Sequence, residues 1–187
     1  MDIFSLAGKV AVVTGSTRGI GRAIVGQMAL AGAKVVVSSR KPEACEATLT
    51  ELRAAGREAI AVPCNVGYKA QCEALVRTTL DTWGRIDVLV LNAAINPYFG
   101  PMQTMGDEVF DKMIATNLKA QLWLCQLVCP QMAERGEGAI IIVSSIAALR
   151  GNSMQGMYGL CKAAAIQLAR NLALEWGAKG IRANAIS

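Results

Sequence analysis

Tyr158 and Lys162 stand four residues apart, and Ser145 lies thirteen residues before the tyrosine. On a helix, a phenol and an ammonium at that spacing share one face within side-chain reach. A free phenol has a pKa near 10, too high for a base at neutral pH. An ammonium about 4 Å away, at an effective dielectric near 20, favours the phenolate by about 4 kcal/mol at most. That is enough to bring the phenol into the range useful for general acid–base chemistry. A Ser145 hydroxyl beside it would donate a hydrogen bond to a substrate oxygen that gains negative charge. As a nucleophile Ser145 is a poor candidate, because the chain has no histidine to activate it. The same absence removes most zinc sites, and no metal is expected. Singly, each residue has a bland reading: a helix anchor, a solvated charge, a strand-end cap. The set gains meaning from what precedes it.

Thr14-Gly15-Ser16-Thr17-Arg18-Gly19-Ile20-Gly21 follows the first apolar run and opens the first helical stretch. Gly15 allows a tight turn, and Gly19 and Gly21 let backbone and helix approach phosphates closely. Free amides and the helix dipole at that N-terminus attract an anionic diphosphate. Thr17, Arg18 and Ile20 complete the loop and join the glycines as cofactor-binding candidates. The spacing is G-x-x-x-G-x-G, and its alternative reading is an ordinary glycine-rich turn. The second apolar run ends Ser38-Ser39-Arg40, where an NAD enzyme is expected to carry a carboxylate for the ribose 2′-hydroxyl. Arg40, with Arg18 nearby, suits a 2′-phosphate instead, so NADP(H) is favoured over NAD(H).

These groups need a scaffold. Val10–Val13, Val35–Val37, Ala59–Val62, Val88–Leu91, Ala139–Val143 and Ile181–Ile186 read as strands, apolar on both faces as strands between helical layers must be. Residues 19–31, 42–55, 69–83, 107–134 and 157–178 read as helices. Pro42 opens one, Gly32, Gly56 and Gly177 mark ends, and Asp107 is the expected N-cap of the fourth. A break into two helices is expected at Thr116-Asn117. Alternating strands and helices give an α/β domain with a doubly wound parallel sheet, Rossmann-like, with helices on both faces. Residues 1–187 read as this one domain.

Composition agrees. Apolar residues make up 53% and charged ones 18%, a core-rich and not a disordered balance. The net charge of +5 is spread along the chain, and aromatic residues are few, so no nucleic-acid groove is expected. No window is long and apolar enough for a membrane span, and Met1 to Lys9 carry no secretory pattern. The six cysteines lack C-x-x-C spacing, which argues for free thiols and a cytoplasmic protein.

Together these residues resemble the short-chain dehydrogenase/reductase family, from about Leu6 to Ser187. The family's T-G-x-x-x-G-x-G is matched at Thr14 to Gly21, and its Y-x-x-x-K at Tyr158 to Lys162. Its serine is Ser145, and its mid-helix asparagine is Asn117. The resemblance implies Tyr158 as acid/base, Lys162 holding the nicotinamide ribose and lowering the tyrosine pKa, and Ser145 positioning a carbonyl. Asn117 would kink its helix and hold a water that links the lysine to solvent. The family's N-N-A-G is Leu91-Asn92-Ala93-Ala94 here, with Asn92 and Ala93 kept. Its adenine-contacting Asp-Val is Asn65-Val66, whose carboxamide can still accept from an amino group. Asn92-Ala-Ala-Ile-Asn-Pro is similar to NADP-dependent carbonyl and retinal reductases.

The resemblance implies a small carbonyl or alcohol substrate, lined by residues 95–102 and 149–157, and a homotetramer or homodimer through the helices after Asn117 and Tyr158. Family members run longer, so a final strand and a substrate lid are expected beyond Ser187. The alternative is a cofactor-binding regulatory or inactive protein on the same scaffold.

Overall fold

Six parallel strands form one sheet in the computed structural model, which describes residues 3–187; the part of the leader reading that rests on Met1 and Asp2 lies outside them. The elements alternate: β1 (Val10–Thr14), α1 (Gly19–Leu30), β2 (Lys34–Ser38), α2 (Pro42–Ala54), β3 (Ala59–Ala61), α3 (Lys69–Trp83), β4 (Val88–Leu91), α4 (Asp107–Ile114), α5 (Ala120–Arg135), β5 (Gly138–Val143), α6 (Gly156–Trp176) and β6 (Ile181–Ile186). Strand order is β3-β2-β1-β4-β5-β6, so the winding reverses between β1 and β4. Ligands of such sheets bind beyond the carboxyl ends of the strands at that reversal.

The strands are apolar on both sides because both sides are covered. Val12, Val36, Leu89, Leu91, Ile140 and Ile142 pack against α3, α5 and α6. Ala11, Val13, Val35, Val37, Val88 and Val90 pack against α1 and α2. On the second face β5 and β6 are less covered: Ala139, Ile141 and Val143 are half-buried and Ile186 is exposed. Among the described residues β6 bonds only to β5 and forms a sheet edge.

Two local expectations change. Asp107 is the first residue of α4, and Gly106 occupies the cap with extended backbone and no side-chain bond. Asp107 contributes there through its charge in the first turn instead. The expected break at Thr116-Asn117 is a wide π-type turn, Ala115–Lys119, that carries the chain from α4 into α5 without interruption. One residue is gained in such a turn, which rotates the following face relative to the preceding one. Asn117 is thereby fully buried.

Candidate active site

The glycine loop departs from the end of β1, at the sheet's reversal. Gly15 and Gly19 have φ of 66° and 53°, the left-handed region that favours glycine. Gly21 is required for a different reason: a Cβ there would lie 2.2 Å from the Gly15 carbonyl and 2.4 Å from Asn92 Nδ2. That contact is the loop's brace. Asn92 Nδ2 donates to the carbonyls of Thr14 (2.9 Å) and Gly15 (3.1 Å). The backbone N–H groups of Asn92 and Ala93 both donate to Thr14 Oγ1, at 3.0 and 3.1 Å. Asn92, read as a cofactor contact, therefore also shapes the loop.

The first turn of α1 has no acidic residue and no side-chain cap, so its N–H groups are available to an anion. Ser16 ties the loop to β2, donating its N–H to the Ser38 carbonyl (3.0 Å) and accepting from Ser38 N–H (2.8 Å). Arg18 and Arg40 are brought to this end, both exposed and without an ion pair among the described residues. Thr17 is half-buried and Ile20 is exposed at the mouth.

Asn65 and Val66 lie in the β3–α3 connection. Val66 is buried, while Asn65 Oδ1 accepts from Gly67 N–H at 3.2 Å. The carboxamide expected to meet an amino group is thus engaged in its own turn.

The chain after β5 carries the residues expected to do the chemistry. Ser145 extends beyond the strand, and its Oγ accepts from Ala147 N–H at 3.2 Å as the cap of a short 3₁₀ turn. Tyr158 enters on the first turn of α6, half-buried, near enough to Ser145 for that hydroxyl to favour the phenolate. Lys162 follows one turn later and is buried, at 2% exposure. Its Nζ donates to the Val143 carbonyl at 2.6 Å and lies 5.6 Å from the centre of the Tyr158 ring. Ser144 adds a second tie, its Oγ donating to the Lys162 carbonyl at 2.9 Å. The start of α6 is thereby fixed to the end of β5.

The electrostatics differ from the expectation built on spacing alone. Burial pushes the Tyr158 phenol above its ordinary value of 10, and the neighbouring Ser145 hydroxyl only partly opposes this. Lys162 turns its ammonium to the Val143 carbonyl, and burial lowers its own pKa.

Asn117 does more than turn a helix. Its Oδ1 accepts from Ile95 N–H and its Nδ2 donates to the Ile95 carbonyl, both at 2.8 Å. The carboxamide so anchors the chain leaving β4, and beyond it residues 95–102. Gly100 N–H donates to the Met154 carbonyl at 2.9 Å, which joins the two stretches expected to line the substrate side. Phe99 is 66% exposed, and Tyr98 Oη donates to the Pro101 carbonyl. A separate cleft of about 300 Å3 lies between residues 147–152 and the first turns of α6, but Ser145, Tyr158 and Lys162 do not line it.

Sequence reading missed Thr14, Ser16 and Ser144, whose hydroxyls brace the site. The available signal was a hydroxyl residue ending or flanking an otherwise apolar strand.

The profile of the short chain dehydrogenases matches residues 9–187. Dehydrogenase/reductase SDR family member 4 of Oryctolagus cuniculus is 44% identical over 182 residues, 97% of this chain and 70% of the relative. The Homo sapiens protein of that name is 41% identical, over 97% of this chain and 66% of its own length. The chain spans 65–70% of the length of such relatives. A 7α-hydroxysteroid dehydrogenase complexed with NADH and 7-oxo glycochenodeoxycholic acid superposes with a TM-score of 0.94 at 35% identity, covering 98% of this chain and 71% of that one. A metagenomic short-chain oxidoreductase in complex with NADP gives 0.92 at 36%, covering 96% and 81%.

Proposed function

Because the chain belongs to the short-chain dehydrogenase/reductase family of NAD(P)-dependent oxidoreductases, we propose that it reduces a ketone or aldehyde with NADPH, with Tyr158 supplying the proton. The observation that carries this reading is the meeting of Ser145, Tyr158 and Lys162 at the end of β5, beside a glycine loop that only glycine can close. The loop suits a dinucleotide: Gly21 packs against the Gly15 carbonyl and Asn92 with no room for a Cβ, and the N–H groups of α1 are uncapped. When bound, the cofactor supplies the hydride.

The chain's own residues do the rest. Gly15, Thr17, Arg18, Gly19, Ile20 and Gly21 take the diphosphate, and Arg18 and Arg40 take the 2′-phosphate. Asn65, Val66, Asn92 and Ala93 flank the adenosine half, and Lys162 holds the nicotinamide ribose. Ser145 orients the carbonyl oxygen and stabilises the charge that develops on it. Tyr158 gives its proton to that oxygen, and Asn117 holds the adjoining loop in register.

The relatives divide on the cofactor, one seen with NADH and one with NADP, so the preference rests on Ser39-Arg40 in this chain. Exposed Leu122 on α5 and exposed Leu160 and Leu174 on α6 give those helices a face suited to a homo-oligomer. No described helix is long and apolar enough to cross a membrane.

The test is NADPH oxidation across a panel of aldehydes and ketones, with binding followed in parallel by nicotinamide fluorescence. Turnover of at least one carbonyl with NADPH preferred over NADH is the expected outcome. Binding without oxidation would favour a cofactor-binding protein that does no chemistry.

A further inference from the structure

The two stretches that wall the substrate side in the proposed function, on which this inference rests, meet at a backbone tie and at a side chain. The tie runs from Gly100 N–H to the Met154 carbonyl at 2.9 Å. The side chain is Met102. It opens the 3₁₀ turn Met102–Thr104, and its thioether lies against Gly156, the first residue of α6 and two before Tyr158. A Cβ at Gly156 would overlap Met102 Sδ and lie 2.6 Å from its Cγ. The backbone that carries Met102 is held on its own account. Tyr98 folds its phenol over Gly100 so closely that a Cβ there would lie 2.6 Å from Oη. That Oη bonds to the Pro101 carbonyl at 2.8 Å and to Thr104 Oγ1 at 2.6 Å. Between two held walls stands a thioether, 48% exposed, on an unbranched and adaptable side chain.

We infer that Met102 determines how bulky a carbonyl can stand beside Tyr158. A substrate whose oxygen meets Tyr158 must place its substituents between the two walls, and Met102 spans them where they meet. Seated on Gly156, the thioether leaves the gap open. Driven off that seat, it has to occupy the gap. The glycine provides the seat, and it does so without bracing the backbone. Gly159, three residues on, is the contrast: a Cβ there would lie 2.6 Å from the Ala147 carbonyl, a backbone atom that cannot step aside. At Gly156 the obstacle is the far end of a flexible side chain, so an added methyl moves Met102 and spares the fold.

The experiment takes the carbonyl turned over best in the panel above and enlarges one substituent from methyl through phenyl to naphthyl. kcat/KM with NADPH is measured for the wild type, Met102→Ala, Met102→Leu, Gly156→Ala and the Met102→Ala, Gly156→Ala double variant. Met102→Ala should raise the bulky-to-small ratio about tenfold, the scale on which an apolar pocket senses a methylene. Met102→Leu, of similar volume, should keep the wild-type ratio. Gly156→Ala should lower the ratio about tenfold, and in the Met102→Ala background it should leave the ratio unmoved, because no thioether remains to be displaced. A role in stability alone would shift every substrate together. An unchanged ratio in Met102→Ala, equal effects of Gly156→Ala in the two backgrounds, or losses uniform along the series would overturn the assignment. Gly156→Ala keeps Met102 and decides the matter even where Met102→Ala fails to fold: an unchanged ratio there is equally fatal. If the wild type turns over no carbonyl of the panel, the proposed function itself falls and takes this inference with it.

Discussion

Replacing Gly21 with alanine should destabilise the protein, although the substitution sits in a helix where alanine is normally the better residue. The new Cβ would meet the Gly15 carbonyl at 2.2 Å and Asn92 Nδ2 at 2.4 Å, so the loop and the asparagine must part. Asn92 then loses its bonds to the carbonyls of Thr14 and Gly15. Two hydrogen bonds at about 1 kcal/mol each, with about 1–3 kcal/mol for the polar groups left unpaired, oppose a helix-propensity gain of about 1 kcal/mol. The net loss is about 2–4 kcal/mol, a fall in melting temperature of about 5–15 °C for a chain of this size. NADPH affinity should drop about tenfold or more, since the displaced amides are those that face the diphosphate. Gly26→Ala is the control. It lies in the same helix with nothing within 4 Å of its added Cβ, and should raise stability by about 0.5–1 kcal/mol. Thermal melts and fluorescence titrations of the two variants decide the matter. Equal shifts for both, or a Gly21→Ala protein that binds NADPH normally, would refute the reasoning.

Lys162→Met should abolish turnover and yet stabilise the protein at neutral pH by on the order of 1 kcal/mol, because it removes a buried ammonium. The pH dependence follows from the lowered pKa. Between the folded value and 10.5 the unfolded chain holds more protons, so wild-type stability rises with pH there. The advantage of Lys162→Met should therefore shrink as pH approaches 10.5, and melts from pH 7 to 10 would show it; a constant difference counts against the assignment. Asn117→Ala should cost about 2–4 kcal/mol by stranding both backbone groups of Ile95, and should lower kcat as residues 95–102 lose their anchor. Denaturant melts beside steady-state kinetics check both effects. Arg40→Ala should weaken NADPH binding about tenfold, the loss of a charge-assisted hydrogen bond, and leave NADH unaffected. Parallel titrations would show whether the preference survives.

The sheet was legible because its strands are buried on both faces and therefore uniformly apolar, and the helices because glycine and proline punctuate them. The glycine loop and the Tyr158, Lys162, Ser145 set were legible because their chemistry fixes short spacings. What escaped was set by tertiary partners. Spacing placed Lys162 beside Tyr158, but the Val143 carbonyl that captures its ammonium comes from β5, and burial is invisible to spacing. Asp107 looked like a cap, yet Gly106 already supplies the extended turn into α4. Thr116-Asn117 suggested a break, and the chain instead absorbed one residue in a wide turn that buries Asn117 against Ile95.

Deuterium transfer from C4-deuterated NADPH to a carbonyl substrate, followed in the wild type and in Tyr158→Phe, bears most directly on the assignment of Tyr158 as proton donor. Label at the carbinol carbon in the wild type, and none in a Tyr158→Phe protein that still binds NADPH, is the result the geometry demands. Label transfer at the wild-type rate in Tyr158→Phe would contradict it.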